Sequence, residues 1–542
     1  MIKRIMAGLV SGQYRLQVAC AALLTAFYNG VFFSKLTAAF PLADNFLFVI
    51  AVGLVLFLAM SLVFTLLGGK YTTKPLLAAA MVTAASCGYF MSAYGVVIDA
   101  TMLQNAVETD RAEVMGLINP NFIIRIILLG IVPGVIIWRW KIQYGTFKQE
   151  MISKLSVMAL ILVTGGIIML LFSASFASFF REYKSVRYYA NPIYPFYSVI
   201  KYVGDSSGQS VYPDKPEEVS GDAQIVEPYN GSHRPDRELV ILVIGESARA
   251  DRFQLNGYGR ETNPRLSAEK DVVTFTHVTS CGTTTSVSVP CMFSILPREE
   301  FESDHIYTHE NALNVLKREG VNVLWRDNNS SSKGVADHIE YQDFHKPDTN
   351  TLCDGECRDE GMLVGLQDYI AKHPTGDILI VLHQFGSHGP EYYKRYPQAH
   401  EFFKPTCKTN KLGDCSKEEI TNAYDNTIRY TDDFLSKAIG FLKKNDEQFE
   451  AAMFYISDHG ESLGEGGIYL HGMPYMIAPD EQKHVAAILW TGTYFDVSAD
   501  LLQSRKDTEF SHDNIYCTLM SMFEVETRDC KPEQSMFFGG VK

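Results

Sequence analysis

Positive charge is scarce in this sequence, and repeats are absent. Lys and Arg number 48 against 62 Asp and Glu, which leaves a formal net charge of −14 at pH 7. A nucleic-acid partner requires clustered Lys and Arg, so this balance argues against one. Without internal repeats or low-complexity tracts, a repeat array is excluded. Residues 230–542 also lack the long apolar runs of a membrane span and have the composition of a soluble domain.

Long apolar runs are almost confined to residues 1–180. Five of them have the length of about 20 residues that a membrane-spanning helix requires. They are Leu16–Leu36, Phe46–Leu67, Leu76–Val97, Phe122–Trp138 and Val157–Phe180. The first could instead be a cleaved signal peptide, but it is long for one and lacks a clear small-x-small cleavage site. We therefore predict five spans followed by at least one further domain.

Basic residues in the short loops predict the orientation of the spans. One side would carry Lys3, Arg4, Arg15, Lys70, Lys74, Arg139, Lys141, Lys148 and Lys154, whereas the other offers little beyond Lys35 and Arg111. The richer side is expected to face the cytoplasm. The amino terminus is therefore predicted to be cytoplasmic, and an odd number of spans places everything after Phe180 outside.

Eight of the 10 cysteines lie in this outer part and fall into close pairs. The pairs are Cys281 with Cys291, Cys353 with Cys357, Cys407 with Cys415, and Cys517 with Cys530. Paired cysteines are typical of an oxidising compartment, so we predict four disulfides. The alternative is a zinc site built on Cys353 and Cys357, but no second pair at zinc-ribbon spacing supports it.

The outer part is predicted to comprise a bridge and linker, 181–237, and an α/β domain, 238–542. Arg181–Tyr202 is rich in tyrosine and basic residues, which fits either the membrane surface or an ordinary packing helix. Candidate strands are Leu239–Ile244, Val321–Trp325, Ile378–Leu382, Ala452–Ile456 and Val485–Trp490, and candidate helices include Asn311–Glu319 and Lys417–Lys444. Their alternation predicts a mostly parallel sheet covered on both faces.

Polar residues follow two of these strands directly. Glu246 follows one, and Asp458-His459 follow another. Open α/β folds place ligand sites at such strand ends, and zinc accepts both imidazole nitrogen and carboxylate oxygen. The plainer interpretations are a surface strand end for Glu246 and a turn cap for Asp458. The pattern favours metal-assisted phosphoryl or sulfuryl transfer.

The loop between Cys281 and Cys291 supplies candidate nucleophiles. Its hydroxyl residues include Thr283, Thr284, Thr285, Ser286 and Ser288. A hydroxyl held on Zn²⁺ loses its proton near neutral pH and can then attack. Spacing does not choose among these residues, and the segment could be simply a polar loop held by a crosslink.

Six motifs follow one another along the chain: Gly245–Asp251, Asn256–Tyr258, Thr262–Pro264, Ser280–Ser294, Gly386–Pro390 and Ser457–Gly464. Together they resemble the motifs of the lipid A phosphoethanolamine transferases, a family that includes the transferable colistin-resistance enzymes. The match runs over essentially the whole chain. It implies a five-helix transmembrane domain, 1–180, and a periplasmic domain with the alkaline phosphatase/sulfatase-like fold. It also implies the inner membrane of a Gram-negative bacterium.

The resemblance also implies the chemistry. Thr285 would be the nucleophile, and Glu246, Asp458 and His459 would hold Zn²⁺ together with it. Phosphatidylethanolamine would donate phosphoethanolamine to Thr285, and a lipid A phosphate would then accept it. One zinc ion is expected and a second is left open; the protein is expected to be a monomer. Adding an amine would reduce surface negative charge and weaken the attraction of polymyxins.

Further residues match family positions for the substrate. They are His388 and His471, either of which could be the general acid, Asn329 and Lys333 near the phosphate, and Asn105, Thr109 and Glu113 in an outer loop. The plainer interpretations are structural histidines, a solvated turn and a polar loop in water. One departure stands out, because Ser332 and Ala336 replace the cysteines of a crosslink common in the family.

Three other protein classes are less consistent with the residues. A sulfatase would need a C/S-x-P-x-R sequence, and the region around Thr285 lacks that Pro and Arg. A lipoteichoic acid synthase would share the five spans and the threonine, but the cysteine pairs and the Ser-Val-Pro-Cys stretch argue against it. A surface receptor without catalysis would have lost part of the ligand set, which is complete here.

Overall fold

In the computed structural model, the first apolar run of the sequence is divided between two helices, although its composition shows no break. The structure describes residues 12–108, 117–207, 213, 215–226, 235 and 237–537. Two compact units emerge: the described residues of Met1–Leu103 and Ile118–Asp205 form the first, and those of Gln104–Leu117 and Ser206–Lys542 form the second.

The first unit is helical. Among the residues that the structure describes, four helices are long and apolar enough to cross a membrane, namely Leu42–Leu67, Thr73–Ala93, Pro120–Arg139 and Phe147–Leu171. Gly12–Phe27 and Gly30–Ala39 form a pair bent by 58°, and the number of spans is five only if this pair counts as one. Shorter helices are Ser173–Glu182, Lys184–Arg187 and Ile193–Ser207, and Ala100–Glu108 joins the two units in sequence.

Two predicted spans therefore have different bounds. The run Leu16–Leu36 is divided at Tyr28-Asn29, where the Asn29 amide donates to Leu24 O and Asn191 O. The run Val157–Phe180 ends as a continuous helix at Leu171, and a separate helix follows. Hydropathy does not reveal either break, because apolar residues continue across both.

A seven-stranded sheet organises the second unit. Its strands are β2 (Glu238–Gly245), β3 (Val272–Phe275), β5 (Asn322–Asp327), β6 (Glu340–Asp343), β7 (Ile378–His383), β8 (Glu450–Ser457) and β11 (Ala487–Thr491). Their order across the sheet is β3-β11-β8-β2-β7-β5-β6. The two-residue and three-residue strands are β1 (Gln224–Ile225), β4 (His277–Thr279), β9 (Ser462–Leu463), β10 (Tyr469–Leu470), β12 (Glu509–Ser511) and β13 (Val525–Glu526).

The five predicted strands are present, and neighbours pair in parallel from β8 through β2, β7 and β5 to β6. The strand predicted at Val485–Trp490 differs in direction, since β11 runs antiparallel to both its neighbours. Strands β3 and β6 are additions to the prediction. Both are only four residues long and partly exposed, so neither carries a long apolar run.

Helices cover both faces of the sheet. The main ones are Thr285–Phe293, Ala312–Arg318, Leu366–Lys372, Lys417–Lys443, Ala499–Arg505 and Ile515–Met522, with shorter turns at Pro264–Ala268 and His305–Thr308. Alternate residues of β2 point to opposite sides. Ile244 packs in a core with Val289 and Phe293, whereas Val243 packs in a core with Phe434. Burial on both faces explains why these strands are uniformly apolar.

Candidate active site

Strands β2 and β8 bring the two predicted acidic residues to one edge of the sheet. They are adjacent and parallel, with Gly245 opposite Ser457. The residues that follow, Glu246 and Asp458, therefore leave the sheet side by side, and both are fully buried. His459 is buried with them, and its Nε2 lies 3.5 Å from Glu246 Oε1 and 3.3 Å from Asp458 Oδ2.

Thr285 is the residue of the Cys281–Cys291 loop whose hydroxyl contacts the side chains of this group. Its Oγ1 donates to Glu246 Oε2 over 3.0 Å and lies 3.4 Å from His459 Nε2. Thr285 is the first residue of the helix Thr285–Phe293, so its side chain sits at the positive end of the helix dipole. The neighbouring hydroxyls are bonded elsewhere: Thr283 donates to Met473 O, and Thr284 lies 3.2 Å from Ser286 Oγ.

The electrostatics of the two carboxylates call for a cation. Asp458 Oδ1 accepts from the Ser247 and His459 amides, but Oδ2 is buried without a hydrogen-bond partner. Burial and the neighbouring Glu246 raise the pKa of Asp458 well above its ordinary value. Burial also opposes ionisation of Glu246, but nearby His459, His388 and His471 lower its pKa overall. Two buried carboxylates repel each other unless a positive charge lies between them.

His471 approaches the same point from another loop. One ligand atom each from Glu246, His459 and His471 lie within 4.8 Å of one another. The Nδ1 of His471 donates to Glu461 Oε2 over 2.8 Å, and Tyr392 OH donates to the other oxygen over 2.6 Å. A histidine bonded in this way presents its free Nε2 lone pair to a metal.

The donors present fit zinc. Zinc is usually bound by imidazole nitrogens and carboxylate oxygens in a set of four, one position of which is left to a reacting group in a catalytic site. Glu246, Asp458 and His459 supply such donors, and the orphaned Asp458 Oδ2 is an unused one. Thr285 or His471 can complete the set.

Three other residues, which the sequence predicts to bind the substrate, are Asn329, Lys333 and His388. Asn329 Nδ2 donates to Glu246 Oε2 over 2.9 Å, which places the amide at the site. Lys333 is buried in the same loop after β5 with φ of 52°, and in this loop the Ala336 amide donates to Ser332 Oγ. The His388 ring lies 5.3 Å from that of His471.

The outer-loop residues are less defined. Asn105 is half-buried on the helix Ala100–Glu108. Thr109 and Glu113 lie outside the described residues, so their predicted role stays a prediction.

All four predicted cysteine pairs are joined as disulfides. The bonds link Cys281 to Cys291, Cys353 to Cys357, Cys407 to Cys415, and Cys517 to Cys530. The bond between Cys353 and Cys357 leaves no thiols there for the alternative zinc site. The prediction of four disulfides between these cysteines is therefore confirmed.

The two halves of the third disulfide differ in burial. Cys407 is buried, whereas Cys415 is only partly buried and packs against the edge of the core. Cys415 directly precedes Ser416, the residue that caps the helix Lys417–Lys443, and the Cys407 amide donates to Glu419 O in the first turn of that helix. Cys415 therefore fastens the start of a helix. It is a structural residue and supplies no donor to the group around Thr285.

Sequence reasoning gave no role to three buried groups beside the site. Glu461 follows His459 by two residues, so its proximity was visible in the sequence. His512 accepts from the Cys281 amide on Nδ1 and donates from Nε2 to Ser457 O, which ties the threonine loop to β8. His383, the last residue of β7, bonds Asp327 over 2.9 Å, and its Nε2 has no partner. No local pattern reveals the last two, because their partners are distant in sequence.

Fold and site together define a sulfatase-like catalytic domain that follows membrane-spanning helices in the chain. A family model described as Sulfatase matches residues 238–525. A second, described as Phosphoethanolamine transferase EptA/EptB, matches residues 56–206. The membrane-spanning part and the α/β part predicted from the sequence are thus each matched by a separate family model.

Similar proteins cover the whole chain. Phosphatidylethanolamine transferase Mcr-2 of Escherichia coli is 44% identical over 93% of this chain and 94% of its own length. Phosphoethanolamine transferase EptA of Salmonella typhimurium is 37% identical over 97% of each. The integral membrane lipooligosaccharide phosphoethanolamine transferase A of Neisseria meningitidis has a solved structure with a TM-score of 0.90, 31% identity and coverage of 96% of this chain and 98% of that one. The chain belongs to the lipid A phosphoethanolamine transferase family, within the alkaline phosphatase superfamily.

Proposed function

We propose that this protein transfers phosphoethanolamine from phosphatidylethanolamine to a lipid A phosphate, with Thr285 carrying the group between the two. The observation that carries this proposal is the position of Thr285 Oγ1, 3.0 Å from Glu246 Oε2 and 3.4 Å from His459 Nε2. A hydroxyl beside a carboxylate and an imidazole is a nucleophile next to its proton acceptor. The names of the relatives include the transferred group, phosphatidylethanolamine and lipooligosaccharide, which supports the choice of donor and of acceptor class.

The transfer would take two displacements at phosphorus. In the first, Thr285 Oγ1 loses its proton and bonds to phosphorus while the bond to the diacylglycerol oxygen breaks. In the second, an oxygen of the lipid A phosphate bonds to the same phosphorus and Thr285 Oγ1 leaves and regains a proton. Each step conserves the phosphoethanolamine group, so no water is consumed.

Glu246, Asp458 and His459 would hold zinc, with Thr285 or His471 as a further ligand, and a second ion is left open. When bound there, zinc lowers the pKa of a hydroxyl and offsets charge on phosphate oxygens. The residues of the chain do the rest. Asn329 holds Glu246 in place from one side, while the Glu461 carboxylate orients His471.

The leaving diacylglycerol oxygen needs a proton. His388 and His471 lie next to each other at the site, and imidazole exchanges protons near neutral pH. One of them would act as the general acid. Lys333, together with Asn105, Thr109 and Glu113, would contact the lipid substrates.

The cellular setting follows from the same proposal. The spans would lie in the inner membrane of a Gram-negative bacterium, with the amino terminus in the cytoplasm and the catalytic unit, as a monomer, in the periplasm. The product carries one more amine on lipid A, which lowers surface negative charge. Polycationic antibiotics such as polymyxins would then bind less strongly.

Mass spectrometry of lipid A tests the proposal. A susceptible Gram-negative host would express the intact protein, Thr285→Ala or Thr284→Ala. Thr284 is the matched control because it carries the same hydroxyl one residue away but does not bond Glu246. We expect one added phosphoethanolamine with the intact protein and Thr284→Ala, and none with Thr285→Ala.

Modification that survives in Thr285→Ala would refute the nucleophile. Unmodified lipid A with all three proteins, each shown to be present in the membrane, would refute lipid A as the acceptor and direct the search to core sugars.

A further inference from the structure

A cationic side chain lies within one of the membrane-spanning helices. Arg125 is the sixth residue of the span Pro120–Arg139, about 8 Å along the axis from its first residue. A span of 20 residues matches the hydrocarbon core in length, and a long arginine side chain near its start can extend the guanidinium towards the headgroups. Charged residues within spans are costly and are retained where they meet a partner or a ligand.

The protein provides hydrogen-bond partners for only part of the Arg125 guanidinium. Its Nη1 donates to Ser92 Oγ over 2.7 Å, while its Nε is buried without a partner. Within the part of the chain that the structure describes, no carboxylate forms an ion pair with it. Because arginine has five N–H donors and does not lose its charge, the guanidinium can still donate to an anionic acceptor.

Local backbone features hold the guanidinium in this position. A Cβ built on Gly88 would lie 3.3 Å from Arg125 Nη2 and 3.0 Å from Asn191 Nδ2, so the absence of a side chain lets both polar groups approach the helix. The helix also changes to π geometry immediately after Arg125, over Ile126–Ile131. Such π segments are rare and frequently lie at functional sites.

The surroundings identify the class of ligand. Ser92 is exposed and Arg125 is partly exposed, so a ligand outside the unit can reach the pair. Their neighbours on the span, Ile123, Ile124 and Leu128, are 47%, 53% and 58% exposed, as expected of side chains that face acyl chains. An anion at this depth beside apolar side chains is the phosphate of a lipid, and arginine binds phosphate oxygens through its fork of donors.

We propose that Arg125 and Ser92 form a binding site for the phosphate of a membrane glycerophospholipid. The site belongs to the first unit and contains no residue of the Thr285 centre. It goes beyond the proposed transfer, because it can bind lipid whether or not transfer takes place.

Lipid titration of the full-length detergent-solubilised protein tests the site. The probe is dioctanoyl phosphatidylglycerol, which has the phosphodiester but no ethanolamine to transfer. Inorganic phosphate and dioctanoylglycerol are titrated in parallel to separate a free anion and an acyl chain from a lipid phosphate. Arg125→Gln is compared with Arg139→Gln, which removes an exposed arginine from the opposite end of the same span.

We expect Arg125→Gln to raise the Kd for phosphatidylglycerol at least about tenfold, and Arg139→Gln to change it less than about twofold. Dioctanoylglycerol should bind all three proteins equally weakly. Equal Kd values for phosphatidylglycerol in Arg125→Gln and the unaltered protein would overturn the proposal. Inorganic phosphate that binds as tightly as the lipid would overturn the lipid as the ligand.

Arg125→Lys and Ser92→Ala keep the proposal testable if Arg125→Gln does not fold. Lysine keeps the charge but loses the fork, and alanine leaves the guanidinium without its hydroxyl neighbour. We expect both to weaken phosphatidylglycerol binding severalfold while thermal unfolding shows a folded protein. Unchanged binding in both would overturn the site. Thr285→Ala should bind the lipid normally, which separates this test from that of the transfer reaction.

Discussion

Glu461→Gln tests how a neighbouring carboxylate fixes the tautomer of His471. Glu461 is fully buried and accepts two hydrogen bonds, from His471 Nδ1 over 2.8 Å and from Tyr392 OH over 2.6 Å. Glutamine has only one oxygen. If Tyr392 keeps that oxygen, the amide NH₂ faces His471, whose Nδ1 must then accept. The proton moves to Nε2, and the lone pair available to a metal is lost.

The expected loss follows from the contact that changes. A hydrogen bond to a charged group contributes about 1.5–3 kcal/mol, which corresponds to about 10- to 150-fold in an equilibrium constant. Replacing the partner of a metal-bound histidine typically costs about 10- to 100-fold in affinity or activity. We therefore expect zinc affinity and the initial transfer rate each to fall about 10- to 100-fold in Glu461→Gln.

Chelator competition measures the zinc affinity, and lipid A mass spectra give the initial rate. Tyr392→Phe is the matched control, because it removes the other hydrogen bond to the same carboxylate and leaves the charge that faces His471. We expect it to lower zinc affinity less than about threefold. Zinc affinity within twofold of the unaltered protein in Glu461→Gln, or an equal loss in Tyr392→Phe, would refute the role assigned to Glu461.

Three further predictions concern charge and burial. Asp458→Asn should lower zinc affinity at least about 100-fold. It should not lower the Tm of the metal-free protein, because it removes a buried carboxylate of raised pKa. A lower Tm of the metal-free variant would contradict this. Burial, Asp496 and Asp377 raise the pKa of Glu524 to about 7, so its ionisation costs stability as the pH rises from 4.5 through 7. Glu524→Gln should increase the free energy of unfolding by about 1–2 kcal/mol at pH 8, after allowance for partial exposure, and not at pH 4; denaturant titration at both pH values measures it. Burial lowers the pKa of His512 to about 3, so the folded state keeps it neutral and loses stability as the pH falls below 6.5. His512→Gln should remove about 1.4 kcal/mol per pH unit of that acid sensitivity, and an unchanged acid slope would count against it.

Much of the second unit was predictable because the local composition of the sequence identifies its strands. Strands buried on both faces must be continuously apolar, and β2, β7 and β8 read that way in sequence. The helix Lys417–Lys443 carries its own start signal, the capping box of Ser416 and Glu419, which the structure contains. The direction of β11 was not predictable, because parallel and antiparallel strands have the same local composition.

The cysteine pairs illustrate the same division. Close spacing along the chain predicted that Cys407 would meet Cys415, and the two are bonded. Spacing did not reveal that Cys415 would lie partly exposed where the helix Lys417–Lys443 begins, because burial depends on what packs around the loop.

In the first unit, apolar runs predicted the membrane helices but neither their breaks nor the partners of their polar residues. The bend at Asn29 depends on a carbonyl of Asn191, 162 positions away. The sequence shows that Arg125 is charged, but only the packing shows which groups its guanidinium contacts.

The amino-acid sequence by itself determined the chemistry available to this protein: a carboxylate and an Asp-His pair at strand ends, and a threonine-rich loop bounded by cysteines. The family motifs singled out Thr285 among those hydroxyls. Only the tertiary structure decided the distances, since Glu246 and His459 are separated from Thr285 by 39 and 174 positions yet lie in contact with it. The physical reason is the sheet, whose register sets β2 beside β8, while packing of the Thr285 helix on one face carries the hydroxyl to that edge.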